Sequence, residues 1–140
     1  MLWKKRKTWK ILIVDDNLAD LELFKEVLKD MGEIYLAING REAWDGYISA
    51  FKQEQPFDII LLDLVMPEMD GAEVLSKVRE FEKKSGVVKG QEVPIVMVTA
   101  FEKPFMKDFN RTCDDYMLKP IDVLGILGKV RSKIEAKEKV

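Results

Sequence analysis

The chain has no histidine among its 140 residues. That excludes imidazole acid–base catalysis, histidine–metal sites and any role as a phosphohistidine carrier. Cysteine is nearly absent too. Cys113 is the single one, so no disulfide forms within the chain, which fits a reducing compartment. No apolar run approaches the roughly 20 residues that cross a bilayer. The start, Met1-Leu2-Trp3 followed by Lys4-Lys5-Arg6-Lys7, lacks the apolar stretch of a secretion signal. Charge of one sign is not in excess: a net charge of −2 gives no general pull toward nucleic acid or anionic membrane. What is present is ordinary for a globular protein, 47% hydrophobic and 34% charged. The length predicts one domain over residues 10–140, preceded by a basic arm over 1–9 that reads as a solvated tail.

Four short apolar runs each end in a chemically loaded residue. Ile11-Leu12-Ile13-Val14 ends in Asp15-Asp16, and Phe57 to Leu62 ends in Asp63. Ile95-Val96-Met97-Val98 ends in Thr99, and Tyr116-Met117-Leu118 ends in Lys119-Pro120. Such runs read as fully buried parallel strands. Ligands of open α/β sheets bind outside the carboxyl ends of the strands. Three carboxylates, a hydroxyl and a lysine are therefore expected along one sheet edge, a set suited to a divalent metal and a transferred phosphoryl group.

Between the runs, helical spacing recurs. Asn17 reads as an N-cap, with Leu21, Phe24, Leu28 and Met31 striping the first helix. Glu33 to Ile38 reads as the second strand and Asn39-Gly40 as a turn. Ala43, Trp44, Tyr47 and Phe51 mark a helix that stops before Pro56. Val74, Leu75, Val78 and Phe81 mark the third helix, and the polar stretch from Glu82 to Gln91 its extended end and a loop. Pro104 suits the first turn of a short fourth helix. Asp122 is a candidate cap for the last helix, with Val123, Leu127, Val130 and Ile134 on one face. Five strands alternating with five helices imply parallel βαβ units with right-handed crossovers.

Clustered carboxylates repel one another and raise at least one pKa unless a cation intervenes. Mg²⁺ relieves this, taking carboxylates, waters and phosphate oxygens. Lys119 adds a mobile positive charge and Thr99 a hydroxyl donor, and phosphoryl transfer needs mainly positioning and charge neutralisation. Asp63, alone on its strand end, is the natural carboxylate nucleophile for an acyl phosphate. Singly, each residue has a plainer reading: Asp16 as part of a helix cap, Thr99 as a buried hydroxyl, Lys119 as a solvated charge. Their joint occurrence at strand ends carries the functional one.

These motifs, Val14-Asp15-Asp16, Asp63-Leu-Val-Met-Pro-Glu-Met-Asp-Gly71, Thr99-Ala100 and Asp114-Asp115-Tyr116-Met117-Leu118-Lys119-Pro120, resemble the receiver domain of bacterial two-component response regulators. The likeness runs from about Lys10 to Ile134. It implies a flavodoxin-like, doubly wound five-stranded parallel sheet, order 2-1-3-4-5. It implies phosphorylation of Asp63 by a partner histidine kinase or histidine phosphotransfer protein, with Mg²⁺ (or Mn²⁺) held directly by Asp16, Asp63 and the Val65 carbonyl, and by Asp15 through water. Thr99 and Lys119 would bind the phosphoryl oxygens, and Tyr116 falls at the switch-aromatic position; its plainer reading is a strand aromatic packed at a rim. The expected protein is a phosphoacceptor in the cytoplasm rather than a turnover enzyme. It would signal to a downstream effector protein, with a phosphorylation-dependent homodimer as a further option and no nucleic-acid or membrane partner. A chain of this length leaves no room for an output domain, so a stand-alone receiver is the expectation, with a phosphorelay shuttle or a degenerate interaction domain as alternatives.

The pattern is departed from in places. The segment between Thr99 and Lys119 is short, with Thr112 where glycine is common. Val65 and Phe101, two residues past Asp63 and Thr99, are apolar and would lengthen phosphoryl lifetime by hindering water, unless Phe101 packs elsewhere. Val65 also argues against phosphatases of the haloacid-dehalogenase type, which carry a second Asp there. No Walker-type glycine loop is present.

Overall fold

Alternating apolar side chains send each strand's residues to two opposite cores, and this builds the architecture. The structure, a computed structural model, describes residues 8–100 and 113–138. Along the chain run β1 (Trp9–Val14), α1 (Leu18–Leu28), β2 (Gly32–Ala37), α2 (Gly40–Lys52), β3 (Ile59–Asp63), α3 (Gly71–Lys84), β4 (Ile95–Thr99), β5 (Asp115–Leu118) and α4 (Val123–Glu138). The strands form one sheet in the order β2-β1-β3-β4-β5, every pairing parallel. The expected order is thus observed. The helix expected at Pro104, together with Phe101, Thr112 and the arm as far as Lys7, lies outside the described residues.

On one face, Ile11 and Ile13 of β1, Ile59 and Leu61 of β3, and Val96 and Val98 of β4 meet Leu21, Phe24 and Leu28 of α1 and Ile126, Val130 and Ile134 of α4. On the other, Leu12, Val14, Ile60, Leu62, Ile95 and Met97 meet Ala43, Tyr47 and Ala50 of α2 and Val74, Leu75 and Val78 of α3. Each such side chain removed from water contributes about 1.5–3 kcal/mol, so these two layers hold the helices in place.

Some expectations need correcting. Asn39-Gly40 is a helix start rather than a turn: the Asn39 side chain accepts the Glu42 N–H as the N-cap of α2. In α4 the buried residue of the first turns is Ile126, whereas Val123 is 41% exposed. β5 is only half-buried because it closes an edge of the sheet, unlike β3 and β4, which are buried throughout. The stretch after α3 is a loop, as expected, with left-handed glycines at Gly86 and Gly90; Glu82, expected in the polar stretch, lies within α3 and is buried.

Two glycines set the height of the segment after β3. A Cβ on Gly71 would lie 2.2 Å from the Asp63 carbonyl oxygen, and one on Gly40 would lie 2.0 Å from that of Met69. Backbone approaches this close exclude any side chain. The starts of α2 and α3 are therefore seated directly on the segment that follows Asp63.

Candidate functional site: an acidic pocket at the carboxyl edge of the sheet

Every strand except the β2 edge delivers a residue to this edge. The register pairs Val14 with Leu62, so Asp15 and Asp63 emerge from adjacent strands at the same level. Asp63 is paired with Val98 and Thr99 with Leu118, which sets Thr99 and Lys119 one strand further along each time. The Lys119 N–H donates to the Thr99 carbonyl at 2.8 Å, joining the ends of β4 and β5. The Lys119–Pro120 peptide is cis.

Asp15, Asp16 and Asp63 each bring a carboxylate oxygen within 4.8 Å of the others. Asp15 is buried: one oxygen accepts the Asn17 N–H at 2.9 Å and the other accepts from Lys119 Nζ at 2.8 Å. Asp16 is exposed. Lys119 Nζ also lies 2.9 Å from Asp20 and 3.7 Å from Asp63. Burial, and then the charge of Asp15, push the Asp63 carboxyl up to about 7, while Lys119 and the Val65 N–H pull against that rise. Burial disfavours the Lys119 ammonium, but the bonds to Asp15 and Asp20 and the charge of Asp63 outweigh it and raise its pKa. Among the described residues, Lys119 is the one cation beside these carboxylates, fewer positive charges than the cluster holds negative ones.

The donor set is all oxygen and anionic, which suits a hard divalent cation and is poorly matched to soft metals. The upward displacement of Asp63 shows the same need from the protein's side. A receiver-type acidic pocket fit for a divalent metal is therefore in place.

Of the residues singled out from the sequence, the structure brings together Asp15, Asp16, Asp63 and Lys119, and places Thr99 at the end of β4 with its carbonyl bonded to the Lys119 N–H. Thr99 is fully buried. Val65 is 53% exposed beside Asp63. Tyr116 is half-buried against the α2–α3 core. Phe101 lies outside the described residues. The sequence pattern gives Asp20 no site role and misses its ion pair with Lys119. α1 begins at Leu18, so Asp16 lies outside the helix and no helical spacing ties Asp20 to the acidic cluster.

Residues 11–131 match the family described as the response regulator receiver domain. The chain is 37% identical over 129 residues to hybrid signal transduction histidine kinase B of Dictyostelium discoideum, covering 86% of this chain and 6% of that protein. It spans between 6% and 46% of the length of the first curated relatives it matches. Among solved structures it is similar to a chain of the CheX–CheY–BeF3–Mg²⁺ complex from Borrelia burgdorferi, with TM-score 0.78 and 27% identity over 93% of this chain and 92% of that one. It is also similar to a chain in the co-crystal of a Saccharomyces cerevisiae histidine phosphotransfer protein with the receiver domain of its downstream response regulator. There the TM-score is 0.74 and the identity 28%, over 88% of this chain and 86% of that one.

Proposed function

The chain belongs to the response regulator receiver domain family, and from that premise we propose that it takes a phosphoryl group on Asp63 and uses it to switch a protein-binding surface. The observation that carries this reading is the convergence of the Asp15, Asp16 and Asp63 oxygens within 4.8 Å, beside a lysine that hydrogen-bonds one of them. The chain has no histidine, so the phosphohistidine donor lies outside these residues, on a histidine kinase or a histidine phosphotransfer protein.

In the transfer, a carboxylate oxygen of Asp63 forms a bond to phosphorus as the bond from phosphorus to the donor's imidazole nitrogen breaks. The electron pair leaves with that nitrogen. Attack needs the ionised carboxylate, and Asp63 is pushed up to about 7 while Asp15 lies charged beside it. Asp16, Asp63 and the Val65 carbonyl would hold Mg²⁺, with Asp15 acting through water, and the ion would supply positive charge to the transferred group. Lys119 would turn its ammonium from Asp15 to the phosphoryl group, and the Thr99 hydroxyl would donate to the same group. Water can hydrolyse the product slowly, so the protein acts as a phosphoacceptor rather than a turnover enzyme.

The new group adds about 1.5 to 2 negative charges at the sheet edge. Thr99 and Lys119 already share a backbone bond, so bonds to phosphate move the ends of β4 and β5 together. Leu118, Val123 and Leu124 flank that joint and are exposed, and this surface would change its affinity for an effector.

The test is intact mass after incubation with acetyl phosphate and Mg²⁺. One phosphoryl group should be gained by the wild type and by neither Asp63→Asn nor a sample without divalent cation. Failure to gain it from acetyl phosphate and from a phosphorylated histidine phosphotransfer protein alike would reject the reading.

A further inference from the structure

Lys119 is held where the phosphoryl group will not be. Its ammonium makes hydrogen bonds of 2.8 Å to Asp15 and 2.9 Å to Asp20, while Asp63 stands at 3.7 Å, beyond such a bond. Asp15 belongs to the carboxylate cluster fit for a cation, and Asp20 does not. Asp20 stands on the first turn of α1, where its N–H is fixed by the Asn17 side chain at 2.9 Å and the next residue, Leu21, is buried in the core. The anchor on the α1 side is therefore rigid. With side chains 19% and 27% exposed, the Lys119–Asp20 pair is sheltered more than an ordinary surface ion pair.

We propose that Asp20 is a positioning residue that anchors Lys119 in the unphosphorylated state and competes with the phosphoryl group for its ammonium. This rests on the receiver chemistry proposed above. A divalent cation held by the cluster would share the neutralisation of Asp15 and so weaken that residue's hold on Lys119. Asp20 then remains the carboxylate holding the ammonium toward α1. For Lys119 to reach an oxygen on phosphorylated Asp63, the contact with Asp20 must lengthen or break. An interaction present in one of two states and lost in the other shifts the equilibrium toward the first. Asp20 thus sets how readily the phosphorylated arrangement forms, without touching the reacting atoms.

The test uses beryllofluoride, a phosphoryl mimic, with saturating Mg²⁺, so no protein partner enters. Calorimetry on the whole chain should show Asp20→Asn binding it about three- to tenfold more tightly than wild type. In a Lys119→Gln background the same change should alter affinity less than twofold. An equal gain there would overturn the competition, because it would mark simple removal of a repelling charge. Should Lys119→Gln abolish binding, the Lys119 ammonium resonance decides. Asp20→Asn should shift it in the resting protein and leave it unchanged with beryllofluoride bound; equal shifts in both overturn the proposal. Uptake by the wild type with unchanged affinity in Asp20→Asn overturns the competition alone. No uptake by either protein overturns the receiver chemistry and the competition with it.

Discussion

At the edge of the sheet where β4 begins, the Glu82 carboxylate is buried and held by Arg79 at 2.7 Å and by the Val93 N–H at 2.6 Å. The same guanidinium reaches Asp114 at 2.9 Å, whose carboxylate also accepts the Ile95 N–H at 2.7 Å. At the opposite edge, Asp15 and Asp63 are equally buried, but they share Lys119 with Asp20 and have exposed Asp16 beside them. One edge answers both buried Glu82 and exposed Asp114 with donors that do not depend on any other molecule. The other gathers more negative charge than the described residues around it supply positive charge. A charge cluster that is complete within the protein fixes structure; one left incomplete is a place for something to arrive.

The largest effect should follow from removing the charge at the complete edge. Glu82→Gln keeps the shape but weakens the tie to Arg79 and the acceptor for Val93, and should destabilise the fold by about 2 to 3 kcal/mol in urea titration. It should leave the response of stability to Mg²⁺ unchanged. A loss below about 0.5 kcal/mol would erase the contrast between the edges.

The same chemical change at the incomplete edge should have the opposite sign. Without divalent cation at pH 7.5, Asp63→Asn should stabilise the fold by about 1 kcal/mol, well under the full value of the shift because solvent near Val65 screens the group. Asp63 rises from an ordinary value of 3.8 to about 7 on folding. Between these values the folded chain keeps a proton that the unfolded chain has released. Its contribution is therefore complete below about pH 4, falls as pH rises toward 7, and is flat above. The difference in unfolding free energy between wild type and Asp63→Asn should trace that slope, and millimolar Mg²⁺ should abolish it by favouring the ionised cluster. A flat difference from pH 4 to 7 would show that Asp63 is not strained by its neighbours.

The contrast also explains what could be read from the residues alone. The strands were legible because uninterrupted apolar runs, such as Ile59 to Leu62, bury both faces of a sheet; their order came from the family resemblance. The pocket was legible for the same reason: strand ends with Asp, Thr and Lys must share an edge. Glu82 was misjudged as part of a polar stretch, because pattern reading assigns charge to solvent and does not see Arg79, one turn earlier, or the Val93 N–H closing over it. Val123 was assigned the buried face that Ile126 takes, since the glycines at Gly125 and Gly128 blur the stripe of α4. Asp20 was missed because its partner is 99 residues away on β5's far end, and local spacing names the face of a helix but not what stands opposite it.

The smallest effect sharpens the comparison from within α3 itself. Lys84 and Glu80 on this helix, two residues either side of Glu82, form an ion pair at 3.1 Å with side chains 75% and 70% exposed. The charges and the spacing resemble those of Arg79 and Glu82; the solvent does not. Water surrounds this pair in the folded and unfolded chain alike, and holding two long side chains together costs rotamer entropy. Lys84→Ala should therefore change stability by about 0.3 kcal/mol or less, and what effect there is should fade at 1 M salt, where screening acts within about 3 Å. The effect of Glu82→Gln should persist at that salt, because ions do not enter between Glu82 and Arg79. If both effects faded alike, long-range charge balance rather than burial would hold this end of the helix, and the two edges of the sheet would differ only in net charge.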